Sequence, residues 1–307
     1  MKNILNRNSI KILFLIPILF ACNRDQVIII PDNDPPVYSA VPIIAIENYV
    51  NRLFIDLIGR EPLAEERILA LADLRRENLS MAARDSLIRN LQTNLNFVEG
   101  DSSYRHAYAR RQYELAKEQI IEGASEAYIA YRIERFIEKA YEDSLKGDAA
   151  GIAYAIEEEL RLEAILEVPY LLKEREIDHR EAYGRMIQNF IYDDINKGSY
   201  NFIYASFEDL LGRFPTNGEY KDAFDVIEYN LPGLVLNEAC KNKVEYTQAL
   251  THSREFAEAM IRSTFLSLLA RQPDSEEMLE LIQDFYADQD YERLQRIIMM
   301  TDEYARF

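Results

Sequence analysis

The chain has 307 residues, 48% of them hydrophobic, enough to bury a substantial core and to exclude a wholly disordered chain. Glycine and proline number only 10 each, about 3% apiece against typical values near 7% and 5%, which argues against a turn-rich β-sandwich or barrel and leaves helices. The 35 basic and 53 acidic residues give a formal charge of −18, a field that repels phosphate backbones and excludes nucleic-acid binding.

Residues 1–21 carry Lys2, Arg7 and Lys11, no acid, and an apolar run from Ile12 to Phe20, the order of a secretory signal. The run is shorter than the ~20 residues that span a bilayer. Leu19-Phe20-Ala21-Cys22 resembles the bacterial lipoprotein box. The resemblance implies cleavage before Cys22, diacylglycerol on its sulfur and acylation of the new amino terminus. Residues 22–45 are then expected to be a lipidated tether, in which Pro31, Pro35, Pro36 and Pro42 block a continuous helix. Val27–Ile30 could add an edge strand or pack on the folded body. Asn23 is not the aspartate that retains lipoproteins in the inner membrane, so the expected place is the outer membrane, facing periplasm or exterior.

A repeat organises the remainder. Tyr49–Pro62, Phe202–Pro215 and Met260–Pro273 align without gaps. In the first copy Ile46, Tyr49, Val50, Leu53, Phe54, Leu57 and Ile58 fall on one helical stripe. Gly59 and Gly212 suit a left-handed helix end, whereas Ala270 predicts a different end for the third copy. Pro62, Pro215 and Pro273 can open the next helix, and acids follow in its first turn. The arginine of each corner (Arg60, Arg213, Arg271) reads as a staple to helix-end carbonyls or to the glutamate of the next helix. Asp56 and Asp209 stand four residues before the first two arginines. The alternative is a ligand-binding arginine. A second element, Ser253-Arg254-Glu255-Phe256, is echoed by Thr301-Asp302-Glu303-Tyr304.

The pattern Leu-Leu-Gly-Arg-x-Pro, followed downstream by Ser-x-Glu-Tyr/Phe, resembles the phycobilisome-linker-type helical domain and related repeat domains of bacterial surface proteins. The resemblance covers about half of the chain and implies an all-helical module that joins proteins together. The expected organisation is residues 46–198 as an N-terminal repeat unit with a helical insert (about 104–197), and 199–307 as two tandem units. In the insert, Tyr104, Ala107, Tyr108, Arg111 and Leu115 suggest one stripe. Tyr128, Tyr131, Ile133, Phe136, Ile137, Ala140 and Tyr141 suggest another. A break is expected between Gly147 and Gly151, then a helix ending near Pro169.

Signals for catalysis are sparse. With Cys22 acylated, Cys240 is the remaining thiol; it is read as inert, although Lys241 and Lys243 could depress its pKa. Glu176-Ile177-Asp178-His179 is one Glu-x-x-His, where a di-iron bundle needs two; neither His106 nor His252 supplies the second, and His179 is read as a surface histidine. Glu157-Glu158-Glu159 and Asp193-Asp194 could pair as glycosidase carboxylates, but among 53 acids they read as solvated helix faces. No catalytic, cofactor or metal residue is assigned. The sequence therefore leads to an all-α chain of helix–proline corner–helix units, an outer-membrane lipoprotein that holds another envelope protein and binds no nucleic acid. An envelope hydrolase using paired carboxylates, or a glycan-binding lipoprotein using its 20 tyrosines, is the alternative.

Overall fold

A computed structural model describes residues 41–307; Cys22, the expected signal segment and the expected tether up to residue 40 lie outside them. Fifteen helices follow in chain order among the described residues. The first repeat copy is α1 (Ile43–Ile58), α2 (Ala64–Arg76) and α3 (Met81–Thr93). The middle of the chain forms α4 (Tyr104–Ile120), α5 (Glu126–Lys146), α6 (Ala149–Glu174), α7 (His179–Ile187) and α8 (Phe190–Ile195). The second copy is α9 (Gly198–Leu211), α10 (Asn217–Tyr229) and α11 (Lys243–Thr251). The third is α12 (Arg254–Leu269), α13 (Ser275–Asp288) and α14 (Tyr291–Met299), followed by α15 (Asp302–Ala305). Fold class is all-α.

The repeat is structural as well as sequential. All seven stripe residues of α1 are buried, and the matching positions Phe202, Ile203, Phe207, Leu210 and Leu211 of α9, with Met260, Ile261, Phe265 and Leu268 of α12, are buried too. The position of Leu53 is taken by Ser206 and Thr264, both buried, each satisfied by hydrogen bonds to the carbonyl one turn back (Ile203 and Met260).

One element escaped the sequence. Gly233–Val235 (β1) and Glu238–Cys240 (β2) form an antiparallel hairpin between α10 and α11, with Gly233 opposite Cys240. Leu236 and Asn237 both have positive φ (51° and 69°), the two-residue turn whose twist suits paired strands. Three residues per strand are too few to leave an alternation in the sequence.

The first copy closes on the last. Tyr49 donates to the Met299 carbonyl (3.2 Å), and Arg52 to the carbonyls of Tyr304 (2.5 Å) and Leu268 (2.8 Å). Arg84, 1% exposed, donates to Leu79 and Met300 carbonyls and to the Asp302 carboxylate.

The middle segment departs from expectation in two places. Helix α6 runs through Pro169, which is buried, to a left-handed Arg175. Ile165, Val168 and Leu172 are buried around it, and Arg185 donates to the Ala164 carbonyl (3.0 Å) one turn upstream. Packing on both sides outweighs the missing N–H. On α5 only Ile129, Phe136 and Asp143 are buried, while Tyr128, Tyr131, Ile137 and Tyr141 of the expected stripe face solvent. Helix α5 has one long partner, α6, and so can cover only one face.

Candidate functional site

The three corners share one geometry. Each first helix ends on a left-handed residue, Gly59 (φ 79°), Gly212 (68°) or Ala270 (57°), whose amide bonds back to Ile55, Glu208 or Leu266. Ala270 therefore adopts the conformation of the two glycines, against expectation. An alanine there costs roughly 1 kcal/mol, which the contacts on either side of the corner must offset.

Five residues later a new helix begins, at Ala64, Asn217 or Ser275, and its third residue is glutamate. Glu66, Glu219 and Glu277 each accept the amide of their own N-cap residue, Leu63 (2.7 Å), Thr216 (2.8 Å) or Asp274 (2.8 Å). Thr216 and Asp274 return a bond to the helix, completing a capping box; Leu63 has no acceptor, so its box is half formed. The corner arginine grips the same glutamate with both terminal nitrogens. The distances are 2.7 and 2.7 Å for Arg60–Glu66, 2.9 and 2.7 Å for Arg213–Glu219, and 2.7 and 2.7 Å for Arg271–Glu277. Its Nη1 also donates to the carbonyl of the next residue, Glu61, Phe214 or Gln272.

Each arginine then reaches a second acid through Nε. Arg60 takes Asp101 (2.6 Å), Arg213 takes Glu255 (2.7 Å) and Arg271 takes Glu303 (2.7 Å). Glu255 and Glu303 belong to the Ser/Thr-x-Glu elements, held in place because Ser253 and Thr301 cap their helices by accepting from Phe256 and Tyr304. The sequence displays both repeated elements; that one is the counter-ion of the other was missed, and its signal is the paired recurrence itself. In the first copy Asp101 comes from a loop and follows no such motif.

Asp56 and Asp209 do not contact the arginines one turn on. Asp56 accepts the Tyr304 hydroxyl (2.7 Å) and Asp209 the Tyr192 hydroxyl (2.8 Å). The arginine side chain points past the helix end toward the next helix, so i,i+4 spacing does not bring the pair together. Burial pushes the Asp209 carboxyl up to about 6. No two of Arg60, Arg213 and Arg271 share a partner, so each belongs to its own corner. Hydrogen bonds from Arg213 pull the Glu219 carboxyl down to about 2, and those from Arg271 hold Glu277 below its ordinary value. Burial alone would raise Glu66, but bonds from Arg60, the Leu63 amide and Tyr104 outweigh it and the net direction is down.

The remaining chemistry-bearing residues sit apart from the corners. His179 is half-buried in the wall of a groove, not a freely exposed histidine: its Nε2 is closed to solvent, its ring lies 4.3 Å from that of Tyr291, and burial pushes its pKa down to about 4. Cys240 is buried, donates to the Glu238 and Glu245 carbonyls, and is raised by burial and by Glu245. Lys241 and Lys243 do not activate it; they pair with Glu245 and Asp193. Glu158 is buried beside Arg161 and its carboxyl is raised by burial, with Asp193 adding to the effect. Its Oε2 is closed to solvent, so a substrate cannot reach it.

Two open grooves are polar. One of about 950 Å³ is lined by Glu219, Asp222, Glu238, Glu245 and His252, and one of about 750 Å³ by Arg105, His179, Asp290 and Glu292. Among the described residues no three His, Cys, Asp or Glu are placed to hold a metal ion, and no helix is long and apolar enough to cross a membrane. No family model, curated protein or solved structure matches the chain.

Proposed function

We propose that this chain is a lipoprotein of the bacterial outer membrane, anchored through Cys22, whose helical body holds another envelope protein. The observation that carries the reading is the occupancy of the repeated corners. All three motif arginines are bound on two sides by carboxylates of their own chain, so the most repeated chemistry in the sequence builds helical units and leaves no charge for a substrate. Of the carboxylates singled out for a hydrolase, Glu158 has its Oε2 closed to solvent and Asp193 is paired with Lys243. Stacked helical units of this kind present long surfaces suited to protein partners. The resemblance of the corner motif to linker-type domains points the same way.

The test is recovery of the chain from detergent-solubilised membranes followed by gel filtration. A partner protein in fixed stoichiometry is expected, and labelled fatty acid should enter the wild type but not Cys22→Ala. Recovery of the chain alone, together with glycan hydrolysis by the purified protein that is abolished by changing one carboxylate, would overturn the proposal.

A further inference from the structure

The α5–α6 hairpin carries an apolar face that the rest of the described chain leaves uncovered. On α5, Ile137, Tyr141 and Leu145 recur every four residues at 48%, 66% and 72% exposure. On α6, Ala153, Ile156 and Leu160 recur at the same kind of spacing and are exposed. At about 100° per residue the three on α5 lie some 80–160° from the line Phe136–Ala140 that meets α6. Those on α6 lie about 100–160° from the line Ala155–Leu162–Leu166 that meets α5. In an antiparallel pair these two rotations run to the same side, so Ile137 and Tyr141 of α5 and Ile156 of α6 share one surface, with Leu160 at its edge and Leu145 and Ala153 turned outward beyond it.

Its charge is sorted. Glu134 and Glu138 border the stripe on α5, Glu157 and Glu163 on α6, while Arg132, Arg135 and Lys139 occupy the other flank of α5. Arg132 stacks there over Phe190 (4.1 Å) and Lys139 binds Asp143 (2.6 Å). Glu138 and Glu157 have intrahelical partners in Arg135 and Arg161; Glu134 and Glu163 have none among the described residues.

From residue 130 to 145 the face runs about 22 Å, and two helices are about 20 Å across, so it measures about 450 Å² in projection. That accommodates one added helix and falls short of the ~800 Å² per side of a standard interface between two bodies. A second copy would also set acidic border against acidic border. We propose that this face is the docking groove for a single basic amphipathic helix of the partner, its apolar side over Tyr141, Ile156 and Leu160 and its lysines or arginines against the four glutamates. The inference rests on the scaffold reading above and gives that partner its chemistry.

The test uses the full chain in zwitterionic nanodiscs and an 18-residue amphipathic peptide of leucine and lysine carrying a photocrosslinker, with a leucine–glutamate peptide as its counterpart. Crosslinks of the basic peptide should map to residues 130–163 and weaken as salt rises. Ile156→Asp or Leu160→Asp should reduce them at least tenfold, Leu279→Asp on the exposed side of α13 should leave them unchanged, and the acidic peptide should not crosslink. Glu134→Lys with Glu163→Lys should reverse the preference. Both substituted apolar residues are exposed, and unchanged circular dichroism would verify the fold. Crosslinks elsewhere, equal capture of both peptides, or dimerisation lost in Ile156→Asp would overturn the groove. If the stoichiometric partner still co-purifies with Ile156→Asp, this surface is wrong and the scaffold reading stands; absence of any partner removes the reading itself.

Discussion

Replacing Arg60 with methionine isolates what a corner contributes. The substitution keeps the aliphatic stem and removes the fork that joins Glu66 to Asp101. The carboxylates left behind are 11% and 15% exposed, and the arginine was 24% exposed. A fully buried charge stripped of its partner costs about 3–5 kcal/mol, whereas exposed pairs contribute about 0.2–1 kcal/mol. A site open to water on one edge lies between, near 2 kcal/mol. In a body of this size that lowers Tm by about 4–8 °C. At the third corner Arg271, Glu277 and Glu303 are 36%, 30% and 48% exposed, and Arg271→Met should cost below about 1 kcal/mol. Denaturant unfolding of the three methionine variants should therefore rank Arg60 above Arg213 and Arg213 above Arg271, with unchanged m. The pH dependence gives a second check. Glu219 has its carboxyl held at about 2, below the ordinary 4.5, by Arg213. Its contribution is thus full above pH 4.5 and is lost as pH falls toward 2. That acid slope should flatten in Arg213→Met. Equal losses at all three corners, or the largest at Arg271, would refute the argument from burial.

Ala270→Gly should stabilise the chain by up to about 1 kcal/mol, measured by the denaturant midpoint, because the left-handed backbone is already there. Gly59→Ala should do the reverse and lose more, since the added Cβ also meets Arg111 Cδ at 3.3 Å. His179 should titrate near pH 4 by NMR. A base whose pKa falls from 6.5 on folding contributes stability above 6.5 and loses it as pH drops toward 4, and His179→Gln should remove that loss. Cys240 should be unreactive to thiol reagents in the native chain at neutral pH and react at once in denaturant.

The helix stripes and corners were legible because both rest on local signals, a 3.6-residue repeat and a glycine at a helix end. The prolines mark the corner but do not open the next helix, since Pro62, Pro215 and Pro273 each precede the N-cap residue, Leu63, Thr216 or Asp274. Arg60, Arg213 and Arg271 could be assigned to corners for the same reason, their first partner lying six residues on. Their second partners lie 32 to 42 residues away, beyond any local pattern. The Tyr192–Asp209 and Tyr304–Asp56 bonds were hidden too, since tertiary contact selected a tyrosine over the arginine one turn on. Pro169 misled because its local rule was outweighed by burial of the helix around it. The α5 stripe misled in the opposite sense, since its residues are apolar at helical spacing yet have nothing in the described chain to pack against. Residues 104–197 read as an insert, but Arg105 of α4 reaches Glu292 and Tyr108 reaches Gln295, so that segment is part of the core and cannot be excised cleanly.

The seam between α1 and the last helices has a consequence for the order of folding. The bond from Tyr49 to the Met299 carbonyl closes a loop of 250 residues. Loop-closure entropy rises by about 0.6 kcal/mol per doubling, so this contact costs about 3 kcal/mol more than one closing ten residues. Ordering must therefore begin within the corners, whose contacts are short in sequence, and finish at the seam. Until Tyr304 and Phe307 arrive, the α1 stripe lacks the two rings that pack on Tyr49. A chain cut short within α14 or α15 would leave that stripe as an adhesive surface open to chaperones and proteases. Tyr304 and its neighbours thus couple the burial of α1 to the arrival of a segment some 250 residues downstream.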